Sequence, residues 1–109
     1  MNAQEGQHLV VMCTTPTREV ADALARLLVE ARAAACVNIV GEVHSVYRWD
    51  GDISIGNECQ LIIKTTREKF PEIETLIRTN HPHKIPEIIA LPVVSGSSAY
   101  LQWLRESTS

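Results

Sequence analysis

The segment spanning residues 36–66, CVNIVGEVHSVYRWDGDISIGNECQLIIKTT, decides the fold of this chain. Valine, isoleucine and aromatic residues, which favour strands, fill its first half. Asp50-Gly51 then forms the dipeptide that most favours a type I′ turn, because both residues tolerate a positive φ. The second half returns as a strand from about Ile53 to Thr66. The segment therefore predicts a long β-hairpin, with Gly41 and Gly56 marking bends or bulges in its two arms.

Helices and further strands flank this hairpin on both sides. Residues 8–14 predict a first strand, and the apolar residues of 18–31 recur at the spacing of an amphipathic helix. Residues 70–77 repeat that helical pattern, residues 88–94 predict a last core strand, and residues 99–106 predict a short closing helix. This order predicts the α+β class and a ferredoxin-like βαββαβ fold, with two helices on one face of a four-stranded sheet.

Length and composition indicate a single domain. The 109 residues have room for one hydrophobic core, which we assign to residues 8–109, while the polar residues 1–7 predict a flexible N-terminal tail. A formal net charge of −3 without a lysine or arginine cluster argues against a nucleic-acid partner. No apolar stretch approaches the ~20 residues of a membrane-spanning helix, and the N-terminus lacks the pattern of a signal peptide.

The three cysteines, Cys13, Cys36 and Cys59, form no CxxC pair and cannot all be paired within one chain. Reduced thiols are typical of the cytoplasm, so we expect a cytoplasmic protein. Cys36 and Cys59 lie in apolar surroundings and are predicted to be inert, buried core thiols. Cys13 ends the first strand and is the cysteine expected to reach a cleft.

A candidate metal site is indicated by the stretch His81-Pro82-His83. A residue before proline is pushed to the extended region, and residues two apart in an extended chain point the same way, so His81 and His83 are expected to face one partner together. Imidazole nitrogen combined with the soft thiolate of Cys13 suits copper or zinc better than magnesium or calcium. The alternative is that both histidines are ordinary surface residues.

The arms of the hairpin are longer than a domain of this size needs. Twelve extended residues span about 40 Å, whereas a 100-residue globule is about 35 Å across. The tip around Trp49 is therefore expected to project and to leave apolar side chains and strand edges open, which proteins normally cover. A ring of three such domains would cover them, and we predict a homotrimer.

The chain resembles the CutA divalent-cation-tolerance family over nearly its whole length, from Val10 to Leu104. The segments that carry the resemblance are Ala33-Ala34-Ala35-Cys36-Val37-Asn38-Ile39, Trp49-Asp50-Gly51, Ile63-Lys64-Thr65, His81-Pro82-His83-Lys84-Ile85-Pro86-Glu87-Ile88 and Tyr100-Leu101-Gln102-Trp103-Leu104. The resemblance implies a cytoplasmic homotrimer with a ferredoxin-like fold, linked to tolerance of copper and other divalent metals.

The resemblance also implies a copper site. In family members described as copper binders, the proposed ligands are a cysteine that ends the first strand and two adjacent histidines before a proline. The cysteine corresponds to Cys13 and the second histidine to His81, whereas Asn80 stands in place of the first. An amide oxygen is a hard, weak ligand for copper, so His83 is the candidate replacement. Cys13, His81 and His83 are thus the predicted ligands of copper, as Cu²⁺ or Cu⁺, with other divalent transition metals as further candidates.

Two other classes of function, a sensor or assembly module and an enzyme, are the alternatives to metal binding. The family is similar in fold and assembly to the trimeric PII signalling proteins, which bind small effectors in clefts between subunits. The alternative is therefore a sensor or assembly module that binds a small effector or a protein partner without an obligate metal. The residues expected to line such a cleft, if they do not serve only in packing, are Tyr47, Trp49, Glu58, Lys64 and Glu87. An enzyme is not predicted, because the sequence has no Gly-rich phosphate loop, no HExxH and no nucleophile elbow.

Overall fold

The structure, a computed structural model, describes residues 7–109 as one sheet with three helices. In chain order its elements are β1 (His8–Thr15), α1 (Arg18–Glu30), β2 (Cys36–Trp49), β3 (Asp52–Thr66), α2 (Phe70–Asn80), β4 (Ile89–Pro92) and α3 (Ser98–Ser107). The strands are antiparallel and lie in the order β2-β3-β1-β4. This confirms the predicted βαββαβ fold with a short C-terminal helix. Of the tail predicted at residues 1–7, residues 1–6 lie outside the described part of the chain.

The long hairpin of β2 and β3 is present as predicted. Asp50 and Gly51 have φ values of 51° and 83°, which is the pair of left-handed conformations that a type I′ turn requires. The ladder runs from the turn down to Cys36 opposite Lys64, with one register shift between Gly41 and Val43. The bend predicted at Gly41 is therefore confirmed, whereas Gly56 pairs regularly with Ser45. Strand β1 pairs only with residues 59–66 of β3, so the hairpin from the tip to Glu58 extends beyond the rest of the sheet.

One face of the sheet carries the hydrophobic core. Alternate residues of β1 and β3 point to this face because successive side chains of a strand point to opposite sides. Helices α1 and α2 cover them with residues spaced by three or four positions. The buried side chains contributed by these elements include Leu9, Val11, Cys13, Leu61 and Ile63 from the strands, and Leu24, Leu28, Ile73 and Ile77 from the helices.

Local signals set the ends of the two core helices. The hydroxyl of Thr17 accepts a hydrogen bond of 3.2 Å from the backbone N–H of Val20, which satisfies one free donor at the start of α1. Pro71 occupies the first turn of α2, where its missing N–H costs no helical hydrogen bond. Helix α2 ends at Asn80 because Pro82 disfavours a helical conformation at His81, which is extended.

Helix α3 lies near the start of β1 and is tied to the end of α1. Arg32 donates hydrogen bonds of 2.9 Å from its guanidinium to the carbonyl oxygens of both Glu106 and Ser109. His8 is buried near this helix; burial lowers its pKa, and the charge of Arg105 lowers it further. A lowered pKa in the folded protein means that this packing loses stability as the pH falls below about 6.5 and the unfolded chain takes up the proton.

Two expectations about single elements were wrong. The predicted core strand at residues 88–94 is only four residues long and exposed, because β4 is an edge strand that pairs with β1 alone and ends at Pro92. Cys36 is half-buried rather than buried, whereas Cys59 is buried as predicted. Cys36 pairs with Lys64 at the start of the edge strand β2, on the side of the sheet opposite the core.

The packing of α1 predicts a contrast between two substitutions on that helix. Leu24→Ala is expected to lower the free energy of unfolding by about 3 kcal/mol, because the side chain is fully buried among core residues. Arg26→Ala, on the exposed face, is expected to change it by less than about 0.5 kcal/mol. Urea denaturation of both variants at one protein concentration tests this, and equal losses would contradict the assigned core face.

Candidate functional site

The three predicted metal ligands meet at the end of β1. The carbonyl oxygen of Thr14 lies 2.8 Å from Nε2 of His81 and 3.6 Å from Sγ of Cys13, and both groups are hydrogen-bonded to it. His83 joins them through its backbone N–H, which donates a hydrogen bond of 3.0 Å to Nδ1 of His81. The fold thus brings the end of the first strand to the end of the second helix. We call Cys13, Thr14, His81 and His83 the Thr14 corner.

The segment after α2 places the two histidines differently from one another. His81 immediately follows the helix, and its imidazole is buried against β1. His83 is exposed, with its ring centroid 5.0 Å from that of His81 and the two planes tilted by 49°. The side chain of Asn80 turns back onto its own helix, where its amide donates to the carbonyl oxygen of Leu76 at 2.8 Å.

Hydrogen bonding fixes the tautomer of His81. Nδ1 accepts a hydrogen bond from the backbone N–H of His83, so Nε2 carries the ring proton and donates a hydrogen bond to the carbonyl oxygen of Thr14. Both ring nitrogens are therefore occupied, and neither lone pair is free for a metal ion in this arrangement. His81 connects β1, the end of α2 and the following loop.

The thiol of Cys13 is protonated and buried. Burial and, to a smaller extent, the negative charges of Glu87 and Glu58 together raise its pKa to about 12. A metal requires the thiolate and a free imidazole nitrogen, so the residues of the Thr14 corner are in the right place but do not form a ready site. Within residues 7–109, no three His, Cys, Asp or Glu side chains are grouped so as to hold a metal ion.

An open cleft adjoins the Thr14 corner. Its volume is about 590 Å³, and it is lined by Thr14, Ser45, Val46, Tyr47, Trp49, Glu58, His83, Ile85 and Glu87. Four of the five residues predicted to line a cleft between subunits are in this set, which a single chain provides: Tyr47, Trp49, Glu58 and Glu87. Lys64 is not, because its ammonium group donates to the side-chain oxygen of Asn38 nearer the base of the hairpin.

The register shift in β2 decides which hairpin residues reach the cleft. Below the shift, odd-numbered residues of β2 pair with core-facing residues of β3, as Ile39 does with Leu61. Above it, Val43 pairs with Glu58, so the odd-numbered residues pair with the opposite face of β3. Because directly paired residues share a face, Tyr47 and Trp49 lie on the same side of the sheet as Glu58.

Sequence reasoning missed Gln60 and the role of His83 in the cleft. The Gln60 amide donates to the carbonyl oxygen of Cys13 at 3.0 Å and reaches a carboxylate oxygen of Glu87 at 3.5 Å. No local motif marks such a residue, because its partners come from β1 and from the loop before β4. His83 was predicted only as a metal ligand, whereas its imidazole also lines the cleft.

The sequence and the fold both match one protein family. The family model for the CutA1 divalent ion tolerance protein matches residues 9–107. The divalent-cation tolerance protein CutA of Thermus thermophilus is 48% identical over 99 residues, which cover 91% of this chain and 96% of that protein. The chain therefore belongs to the CutA1 divalent ion tolerance protein family.

Solved structures support the same assignment. The CutA1 structure from Thermus thermophilus superposes with a TM-score of 0.92 at 46% identity, covering 94% of this chain and 99% of that one. A CutA from Archaeoglobus fulgidus, described as a periplasmic divalent cation tolerance protein, superposes with a TM-score of 0.91 at 34% identity and the same coverage. In residues 7–109, no helix has both the length and the apolar character needed to cross a membrane.

The hydrogen bonds of His81 predict different effects for the two neighbouring histidines. His81→Ala is expected to lower the free energy of unfolding by about 2 kcal/mol, because it removes two hydrogen bonds at a buried position. His83→Ala is expected to change it by less than about 0.5 kcal/mol, since His83 contributes its backbone N–H, which alanine retains. Denaturation curves of the two variants give the comparison. A larger loss of unfolding free energy in His83→Ala than in His81→Ala would show that the ring of His83, not that of His81, stabilises the fold.

Proposed function

We propose that this protein acts in divalent-cation tolerance by binding copper as an exchangeable cargo at the Thr14 corner, with Cys13, His81 and His83 as ligands. The observation that carries the proposal is the shared acceptor: the Cys13 thiol and the His81 imidazole are bonded to the same carbonyl oxygen. Membership of a family named for tolerance of divalent ions supports the general role. Thiolate and imidazole favour copper and other transition metals over magnesium and calcium.

Binding at this corner has to displace protons. The thiol proton is held up to a pH of about 12, and the His81 ring must release a hydrogen bond to expose a nitrogen. His83 is exposed, so its imidazole is the donor that an incoming ion meets first. The free energy spent on opening and deprotonation lowers the net affinity for the ion, and a lower affinity suits buffering or exchange better than permanent retention.

Copper titration by calorimetry tests the proposed ligands. We expect Cys13→Ser and His83→Ala each to weaken copper binding by at least about 10- to 100-fold, which is the usual cost of losing a residue that only supports a metal ligand. Cys36→Ser, which alters a half-buried thiol outside the corner, is the matched control and is expected to bind normally. Uptake is expected to fall between about pH 7 and pH 5, because protons compete with the metal for the imidazole nitrogens in that range, whereas the Cys13 thiol is protonated throughout it. Unchanged affinity in the Cys13→Ser, His81→Ala double variant would refute the site.

We also propose that the protein is a homotrimer. The hairpin exposes a row of large apolar side chains, with Val46 63%, Ile53 59% and Ile55 64% exposed. The strands β2 and β4 are open sheet edges, and Ile89 and Leu91 on β4 are exposed as well. Apolar area and edges of this extent are usually covered by another chain.

The hairpin tip gives a test of assembly. Trp49→Asp is expected to shift the mass measured by light scattering from three chains towards one, because a carboxylate would be forced into an apolar contact. Lys84→Ala, an exposed substitution outside the hairpin that also lowers the net charge by one, is the control and is expected to leave the mass unchanged. A wild-type protein that stays monomeric on concentration would refute the trimer.

The proposed location is the cytoplasm. All three cysteines are unpaired, which suits a reducing compartment. Because an archaeal relative is described as periplasmic, fractionation of cells that express the tagged protein decides between the two compartments.

A second candidate function is the binding of a small effector in the open cleft, as in a sensor or assembly module without an obligate metal. The specific observation in its favour is the cleft itself, whose volume of about 590 Å³ falls in the range of small-molecule sites. The cleft is also lined by two aromatic side chains and a few polar ones, which is the usual composition of such sites.

A further inference from the structure

We propose that helix α3 is a proton-operated latch: it stays docked on the sheet while His8 is neutral, and protonation of His8 releases it without unfolding the rest of the chain. The latch is independent of the metal and effector functions above. Three observations carry it: a buried imidazole with an unpaired nitrogen, a guanidinium that acts on that imidazole, and the small buried surface that holds the helix in place.

The imidazole of His8 is enclosed where β1 begins. His8 is 5% exposed, and within residues 7–109 its Nε2 has no hydrogen-bond partner. The ring donates a hydrogen bond to the backbone carbonyl of Leu101 in α3, and since Nε2 is unpaired, the donor is Nδ1. In the neutral ring Nε2 is then a bare lone pair. Protonation would turn it into a charged N–H donor with no acceptor, and burying such a donor is costly.

The groups packed around His8 do not compensate a positive charge. Burial lowers the pKa of His8, and the Arg105 guanidinium on α3 lowers it further. On β3, the uncharged Thr66 pairs with His8, and Lys64, two positions along the same face, is another cation. After β4, the backbone N–H of Val93 donates to the carbonyl oxygen of His8 and brings no charge. The surroundings of His8 therefore favour the neutral ring.

Acid is therefore expected to weaken the docking of α3. In a released helix the imidazole is surrounded by water, so its pKa returns towards the ordinary value of about 6.5. Because the pKa is lower in the docked state, docking is fully supported above about pH 6.5 and weakens as the pH falls through the lowered pKa. Uptake of one proton shifts the equilibrium between docked and released helix by at most about tenfold for each pH unit in this window.

Only a small part of the core opposes the release. The residue that α3 itself buries is Leu104, whereas α1 buries three residues along its length. The end of α3 is held by Arg32, whose guanidinium donates two hydrogen bonds of 2.9 Å to backbone carbonyl oxygens there. Elements with few buried apolar contacts open at a lower free energy than the core does. Helix α3 can therefore leave the sheet while α1 stays packed.

Hydrogen exchange followed by mass spectrometry tests the latch on the full chain. Exchange of α3 is compared with that of α1 at about pH 7.5 and about pH 5.5, after correction for the intrinsic pH dependence of amide exchange. We expect the protection of α3 to fall at least about threefold at the lower pH, and that of α1 to stay unchanged. Light scattering accompanies both measurements. A loss of protection that appears only together with a loss of mass would overturn the latch, because dissociation would then be its cause.

Two variants separate the proton from the mechanical hold. His8→Gln cannot take up the proton and is expected to remove the pH dependence of α3 exchange. Arg32→Ala loosens the end of the helix without changing His8, so it is expected to lower the protection of α3 at both pH values and to keep the pH dependence. The same pH response in His8→Gln as in the unchanged protein would overturn the latch.

An NMR titration of the unchanged protein covers the case in which His8→Gln releases α3 at every pH. The imidazole signal of His8, assigned with that variant, is followed together with the amide signals of α3. We expect both to change along one curve with a midpoint below the ordinary value of about 6.5. A midpoint at or above that value, or α3 signals that ignore the titration of His8, would overturn the latch.

Discussion

The register of β2 against β3 is the constraint on which the rest of the structure depends. Successive side chains of a strand alternate between faces, so a slip of one residue would move every apolar side chain of an arm to the wrong side. The Asp50-Gly51 turn fixes this register at the tip, and the shift between Gly41 and Val43 resets it at the base. The base of β2 can therefore pack Val37 and Ile39 against the core, while its upper half presents different residues to the opposite face.

The sequence predicted those features that are encoded locally. Asp50-Gly51 required a tight turn, and it was found where expected. Thr17 and Pro71 are local signals of the same kind, because each acts within the first turn of its own helix. The two hairpin glycines looked alike, yet only Gly41 adjoins a bulge, because the choice depends on pairing with the partner strand rather than on glycine itself. The exposure of β4 was not predicted for the same reason: an apolar run does not reveal whether a strand lies at the centre or the edge of a sheet.

The candidate site likewise has a part that the sequence predicted and a part that it could not predict. Residue type was enough to single out Cys13, His81 and His83, and the fold does bring them together. What residue type could not reveal is that the group they share is the backbone carbonyl of Thr14, since every residue carries one. The protonation of the thiol likewise depends on burial and on two glutamates distant in sequence, which only the assembled sheet places near it.

Thr14 belongs to both the Thr14 corner and the open cleft. Its carbonyl oxygen accepts the hydrogen bond of His81, and the residue also lines the cleft. Gln60 makes a second connection, from the carbonyl of Cys13 to the carboxylate of Glu87. A ligand in the Thr14 corner or in the cleft that displaced Thr14 or Gln60 would therefore change the free energy of ligand binding at the other of the two. Such coupling is reciprocal by thermodynamic necessity: whatever factor an effector in the cleft imposes on the affinity for a metal, the metal imposes the same factor on the effector. Thr14 and Gln60 thus link the end of β1 to the cleft within one small domain.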